Sequence, residues 1–239
     1  MTRILAALLV AIGLVVGGWF IGTGFAQSRQ QRFVTVKGLS ERNVEADIAL
    51  WRVEFVETGN QLADVQANIQ RDAAAVTAFL AGHKLGKDAI AFRNIQVADR
   101  AARMYGNDPY ATRFIVTGTI MVRTRDVHEV AAAAQDTGAL IAQGIVLGNP
   151  DGGGSTGPTY LFGGINELKP SMIAAATKNA RDAAEQFARD SGSQLGGIRR
   201  ANQGVFQILS RDKAPMLEAD RQIEKTVRVV ATLEYTLKD

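Results

Sequence analysis

The chain has 239 residues, with 27 lysines and arginines against 24 aspartates and glutamates, a net charge of +3 and no cysteine. The missing cysteine excludes a disulfide scaffold, a thiol nucleophile and a thiolate metal site. Charges of both signs are interspersed and no Lys/Arg block carries interleaved aromatics, which argues against a nucleic-acid partner.

Residues 1–28 form the first element. Ile4 to Ser28 contains no charged residue, with Arg3 before it and Arg29 and Arg32 after it. Two readings fit. At about 1.5 Å per residue, Ile4 to Ala26 covers roughly the 30 Å interior of a bilayer, as an uncleaved signal anchor would. A signal peptide cleaved near Ala26 would use Arg3 and the small-x-small Gly24-Phe25-Ala26, although its apolar core normally runs only about 7–15 residues. Both readings put residues 29–239 outside the cytoplasm, either anchored to the inner membrane and facing the periplasm or released there.

Gly13-x-x-x-Gly17 and Gly18-x-x-x-Gly22 have the spacing of a close helix–helix contact in a membrane. The two pairs lie five residues apart and face different ways, so the general abundance of glycine in membrane helices explains them as well. Trp19 and Phe20 suit an interfacial belt.

About 210 residues follow, enough for one sizeable domain or two small ones. Phe33 to Lys37 reads as a strand stopping at Gly38, and Val44 to Glu57 as a longer one with Trp51, Val53 and Phe55 on one face. Asn60 is a candidate N-cap for a helix to Leu80, with Gly82 just past its end. Leu62, Val65, Ile69, Val76 and Phe79 give this helix an apolar stripe. Strands are expected over Phe92–Met104 and Tyr110–Thr124, joined by the turn Tyr105-Gly106-Asn107-Asp108-Pro109. In the second strand Phe114, Val116, Ile120 and Val122 share a face. Asp126 and Glu129 have capping-box spacing before a helix to about Gln143, and Ile145 to Leu147 reads as a short strand.

The glycine-rich 151–158 segment reads as a loop, with a possible subdomain boundary near 148–159. A strand over Tyr160–Ile165 precedes Pro170, placed in the first turn of a third helix to about Asp190. Ala176, Ala180, Ala183, Ala184 and Ala188 give that helix a small inner face, with Ile173 and Phe187 as larger plugs. Strands are expected over Ile198–Leu209 and Thr226–Leu237, the latter alternating strictly. The pattern predicts an α+β fold, an antiparallel or mixed sheet of paired strands with three helices on one face.

Three stretches carry a resemblance to a known family. Val34-Thr-Val-Lys-Gly-Leu-Ser-Glu-Arg-Asn-Val-Glu-Ala-Asp47 has the form V-x-G-x-(x)-E-x-x-V-x-x-D followed by an alternating strand. Tyr110 to Arg125 is a tyrosine-containing strand ending before Asp126. Lys178 to Ala188, with Gly192 and Leu195-Gly196 after it, is an alanine-rich helix closing on L-G. In this order and spacing they resemble the SIMPL-domain family, which includes periplasmic and outer-membrane immunogenic antigens of Gram-negative bacteria. The resemblance covers residues 33–237 and implies an envelope protein. Some family members are linked to oxidative-stress tolerance, and at least one bacterial member forms a ring-like, channel-shaped oligomer. The family has no agreed catalytic residues, so none is carried over.

The candidate sites are few. His83 and His128 are the only histidines, and neither has a His/Asp/Glu set at ligand spacing, so no metal is expected. Ser40, Ser171 and Ser210 do not lie in a Gly-x-Ser-x-Gly elbow; Ser155 has that spelling in Gly153-Gly154-Ser155-Thr156-Gly157, but no strand–Gly–helix order surrounds it. The 151–158 loop lacks the Gly-Lys-Ser/Thr of a phosphate-binding loop, and no cofactor is expected. Glu41, Glu45 and Asp47 form either an acidic site or ordinary turn and solvent-face residues. Arg71, Asp72, Lys178, Arg181, Asp182, Glu185 and Arg189 read as solvated helix charge, available for ion pairs between subunits. The expectation is a non-enzymatic envelope protein acting through self-assembly as a homo-oligomer, with the membrane as partner of its N-terminal segment. The alternative is a binding module for an envelope protein or small ligand, using the 106–110 and 151–158 loops.

Overall fold

The computed structural model describes residues 12–19, 32–102, 112–148, 157–212 and 218–239. The strands are β1 (Phe33–Glu45), β2 (Ile48–Gly59), β3 (Ile90–Asp99), β4 (Phe114–Thr124), β5 (Val146–Leu147), β6 (Thr159–Leu161), β7 (Gln194–Gln203), β8 (Gln207–Ser210) and β9 (Glu224–Lys238). The helices are α1 (Leu62–Gly82), α2 (Val127–Gln135), α3 (Gly138–Ile141) and α4 (Ile165–Asp190), besides the helical segment 12–19. The α+β class is as expected, and the defined pairings are antiparallel. The strands form two sheets rather than one: β1-β9-β7 with β8 on β9, and β3-β4-β2-β5 with β6 on β2. The chain divides into two compact units, one comprising residues 42–168 and 207–227 and the other the remainder.

In the 42–168/207–227 unit the alternation of β2 and β4 sets the core. Trp51 pairs with Val122, Val53 with Ile120 and Phe55 with Gly118. A Cβ on Gly118 would stand 2.5 Å from Phe55 Cζ, so a glycine here is what lets the buried Phe55 ring cross its neighbour. Helix α1 closes this face with Val65, Ile69, Val76 and Leu80, all buried. Leu62, expected on the stripe, is 41% exposed. Gly82 is the last helical residue rather than the stop. The left-handed position falls on Lys84 (φ +62°), and Leu85 N–H bonds the Leu80 carbonyl at 2.9 Å.

Two expected caps are not formed. The N-cap of α1 is Gln61, because the Asn60 side chain accepts from Arg113 N–H (2.9 Å). Asp126 occupies the N-cap of α2 without a capping bond; its carboxylate accepts from Thr124 Oγ1 (3.1 Å), and Glu129 is drawn to Lys84 Nζ (2.7 Å). The single helix expected to Gln143 is split into α2 and α3 at Asp136-Thr137. Strand β3 ends at Asp99, short of Met104, where the chain enters a 3-10 turn at Arg100–Ala102. Strand β6 stops at Leu161, since Gly163 N–H turns to Asp47 Oδ1 (2.7 Å) and α4 starts at Ile165. Pro170 therefore lies inside α4, not in its first turn, and lacks the N–H that would bond back to Asn166.

In the other unit, β1 does not stop at Gly38. It continues to Glu45, and Gly38 marks a contact instead of a turn: a Cβ there would collide with the Ala176 carbonyl and stand 2.8 Å from Ala180 Cβ. Ala176, Ala180, Ala184 and Ala188 are buried on α4 as expected, joined by Met172. Ala183 points to solvent and Phe187 is 53% exposed, so neither belongs to the inner face. Val34, Leu233 and Tyr235 complete this core. The strand expected over Ile198–Leu209 is two strands separated by Gly204-Val205-Phe206.

Candidate functional site

The clearest interaction surface lies on β3. Its register with β4 sets Ile95 against Gly118 and Val97 against Val116, partners that face the core. Ile95 and Val97 thus share the apolar face of the sheet, yet they are 46% and 54% exposed because the helix cover ends before this outermost strand. Beyond them, the hydrogen-bonding edge of β3 meets no further strand among the described residues. Its middle, Ile95-Gln96-Val97-Ala98, carries no charge and no proline.

The remaining sheet margins among the described residues are protected. β5, β6 and β8 are two, three and four residues long. β1 carries Lys37, Glu41 and Arg42, and β7 carries Arg199 and Arg200 beside two register shifts. Short strands, charges and bulges are the usual devices that discourage edge pairing. β3 lacks them along its middle.

The far end of β3 is staked down. Arg113 donates to Asp99 through Nε (3.2 Å) and Nη2 (2.9 Å) and lies 4.8 Å above the Phe114 ring. Its hydrogen bond holds the Asp99 carboxyl below the usual value. This forked pair orders the edge up to its last residue.

Two charged side chains are buried among the described residues. Lys225 is 2% exposed and donates from Nζ to the Ala219 carbonyl (2.6 Å), and burial lowers its pKa. Asp72 lies on the buried face of α1 with Oδ2 unbonded among the described residues. It faces Glu57, whose carboxyl is raised first by burial and then by Asp72, against the opposing pull of Arg71 and Asn68. Both residues stand at positions the sequence periodicity reaches. Asp72 continues the Val65, Ile69, Val76 stripe, and Lys225 continues the odd-numbered buried series of β9. Asp72 was expected among solvated helix charges; its place on the apolar stripe overrides that.

The other candidates are dispersed. His83 Nε2 meets Asp136 (3.1 Å) and its ring lies 4.8 Å from Phe79; His128 Nε2 meets Glu45 (3.3 Å). Glu41 pairs with Arg228 (3.6 Å) and Asp47 accepts from Gly163, so the three early carboxylates have three separate partners. No group of residues able to hold a metal occurs among the described residues. Lys178 pairs with Asp182 (3.6 Å) and Arg181 with Glu185 (2.9 Å) within α4, so these charges are spent inside the helix. Ser155, Gly22, the 106–110 turn and residues 151–156 lie outside the described residues. Gly157 and Pro158 offer carbonyls to Arg221 Nη1 (2.7 and 3.2 Å). Gly13, Gly17 and Gly18 lie in the helical segment 12–19 with open space around each. Among the described residues no helix is long and apolar enough to cross a membrane.

Residues 34–235 match the SIMPL family, described as a protein of unknown function (DUF541). The chain belongs to this family. No curated protein matches the sequence.

Proposed function

We infer that this SIMPL protein is a non-enzymatic component of the cell envelope that works by self-association. In this reading residues 1–28 anchor it in the inner membrane and residues 29–239 face the periplasm. Its copies build a ring- or channel-like oligomer that contributes to stress tolerance. The observation that supports it is the unguarded edge of β3, where Ile95 and Val97 extend an apolar face past its helix cover. Pairing with a second copy satisfies the edge N–H and C=O groups and covers those two side chains together. One such contact closes a dimer; a ring needs a second, different contact. The outer face of α4, with Phe187 exposed, is the candidate for it.

Light scattering on the full chain in mild detergent, corrected for the micelle, tests the reading. The expected result is an oligomer whose mass falls when Ile95→Lys and Val97→Lys are introduced together. A chain that stays monomeric at high concentration overturns it. N-terminal sequencing of the mature protein separates an anchored chain from one cleaved near Ala26.

A further inference from the structure

Where α4 ends and β7 begins, the chain leaves an open concavity of about 560 Å³. Its shape follows from two bulges. Leu195 and Ile198 of β7 face Leu237 and Tyr235 of β9, three steps against two; Ile198 and Arg200 face Tyr235 and Glu234, two steps against one. Each extra residue bends β7 locally, and such bulges recur where a strand is re-aimed beside a binding site. Gly196 makes the first bulge possible, since a Cβ there would run into Thr236, 2.9 Å from its carbonyl oxygen.

The walls have a definite chemistry. Arg181, Glu185 and Arg189 come from α4, and Leu195, Ile198 and Tyr235 from the sheet. Tyr235 is 4% exposed, and its hydroxyl lines the concavity without forming a hydrogen bond among the described residues. The hydroxyl is not one of the fully buried, unbonded side-chain atoms, so it is open to solvent and can bond a ligand that enters the concavity. Arg181 is held by Glu185. Among the described residues Arg189 has only the neutral Gln186 carbonyl (2.8 Å) and no carboxylate within ion-pair distance. Two carbonyls at the end of α4 are bonded within the chain. Gly192 (φ +67°) turns the chain so that Gly192 N–H caps Arg189 and Ser193 N–H caps Ala188.

We propose that this concavity binds a small amphiphilic carboxylate, its head between the Arg189 guanidinium and the Tyr235 hydroxyl and its apolar body along Leu195, Ile198 and the Tyr235 ring. The planar guanidinium fork matches a carboxylate. Two guanidinium groups against one Glu185 carboxylate leave a single net positive charge, which suits a monoanion and disfavours a phosphate dianion. A volume of this size is in the range of small-molecule sites.

Saturation-transfer NMR titrations of the full chain with 4-phenylbutyrate, its primary amide and phenylbutyl phosphate test this, with detergent-only blanks. The expected result is saturable binding of the carboxylate, at least about tenfold tighter than the amide. Arg189→Gln and Tyr235→Phe are each expected to weaken it about five- to tenfold with unchanged thermal unfolding. Ile141→Ser, an exposed position in the 42–168/207–227 unit, leaves it unchanged. Equal binding of acid and amide, tighter binding of the phosphate, no saturation at millimolar concentration, or indifference to both variants overturns the proposal.

Discussion

Gly38 of β1 sits so close to Ala176 of α4 that any side chain at 38 would overlap the helix carbonyl. The atoms in the way are backbone, together with Ala180 Cβ at 2.8 Å, and backbone in a packed helix does not rotate aside. Asn179 fastens the same seam by donating from Nδ2 to the Leu39 carbonyl (2.8 Å).

Gly38→Ala is therefore expected to cost about 3 kcal/mol or more, the upper end of overpacking penalties. Thermal unfolding checks it, and hydrogen exchange should show the loss first in β1 and α4. A variant as stable as the parent would mean the seam opens without cost.

Phe55 and Gly118 form the corresponding pair in the other unit. Gly118→Ala places a methyl against the Phe55 ring and is expected to cost about 1–3 kcal/mol. Phe55→Leu alone costs a comparable amount by leaving a void. Combined, the two should cost less than their sum, with a coupling of about 1 kcal/mol in a double-mutant cycle. Strict additivity would show that they do not contact.

The facing carboxyls of Glu57 and Asp72 make stability depend on pH. The Glu57 pKa is raised in the folded state, so its contribution is complete below its ordinary value of 4.5 and fades as pH climbs through the raised value. A proton on Glu57 also supplies the donor that Asp72 Oδ2 lacks. Glu57→Gln keeps a donor at every pH. It should stabilise the chain by about 1 kcal/mol at neutral pH and flatten the decline above pH 4.5, as read from denaturant midpoints across pH. A wild-type profile that rises over that interval would contradict the pairing.

Lys84 occupies the left-handed position after α1, where a side chain crowds the backbone. Lys84→Gly relieves this while giving up only an exposed ion pair with Glu129. An increase in Tm of about 2–4 °C is expected, the response of a chain this size to a small gain. A fall in Tm would show that the Lys84–Glu129 bridge outweighs the backbone strain.

Alternation and helical spacing made much of the fold legible. Trp51, Val53 and Phe55, the even-numbered face of β4, the alanine stripe of α4 and the odd-numbered face of β9 lie where their periods put them. These patterns are local, and the burial of one face is what selects them. The surface proposed for self-association was legible only as a class. The period-2 pattern of β4 shows one buried face, but it does not tell that β3 would be outermost and left uncovered.

Residue order alone thus settled the α+β class, the family membership across 34–235 and the faces that turn inward. Tertiary packing decided that Gly38 is a contact and not a turn, that the strands divide between two sheets, and that Asp72 and Lys225 are buried. It also decided that Tyr235 ends in an open concavity with its hydroxyl unclaimed. The division has a simple cause. Side-chain periodicity is written along the backbone, whereas a near-contact between a strand and a helix about 140 residues further on exists only once the chain has closed upon itself.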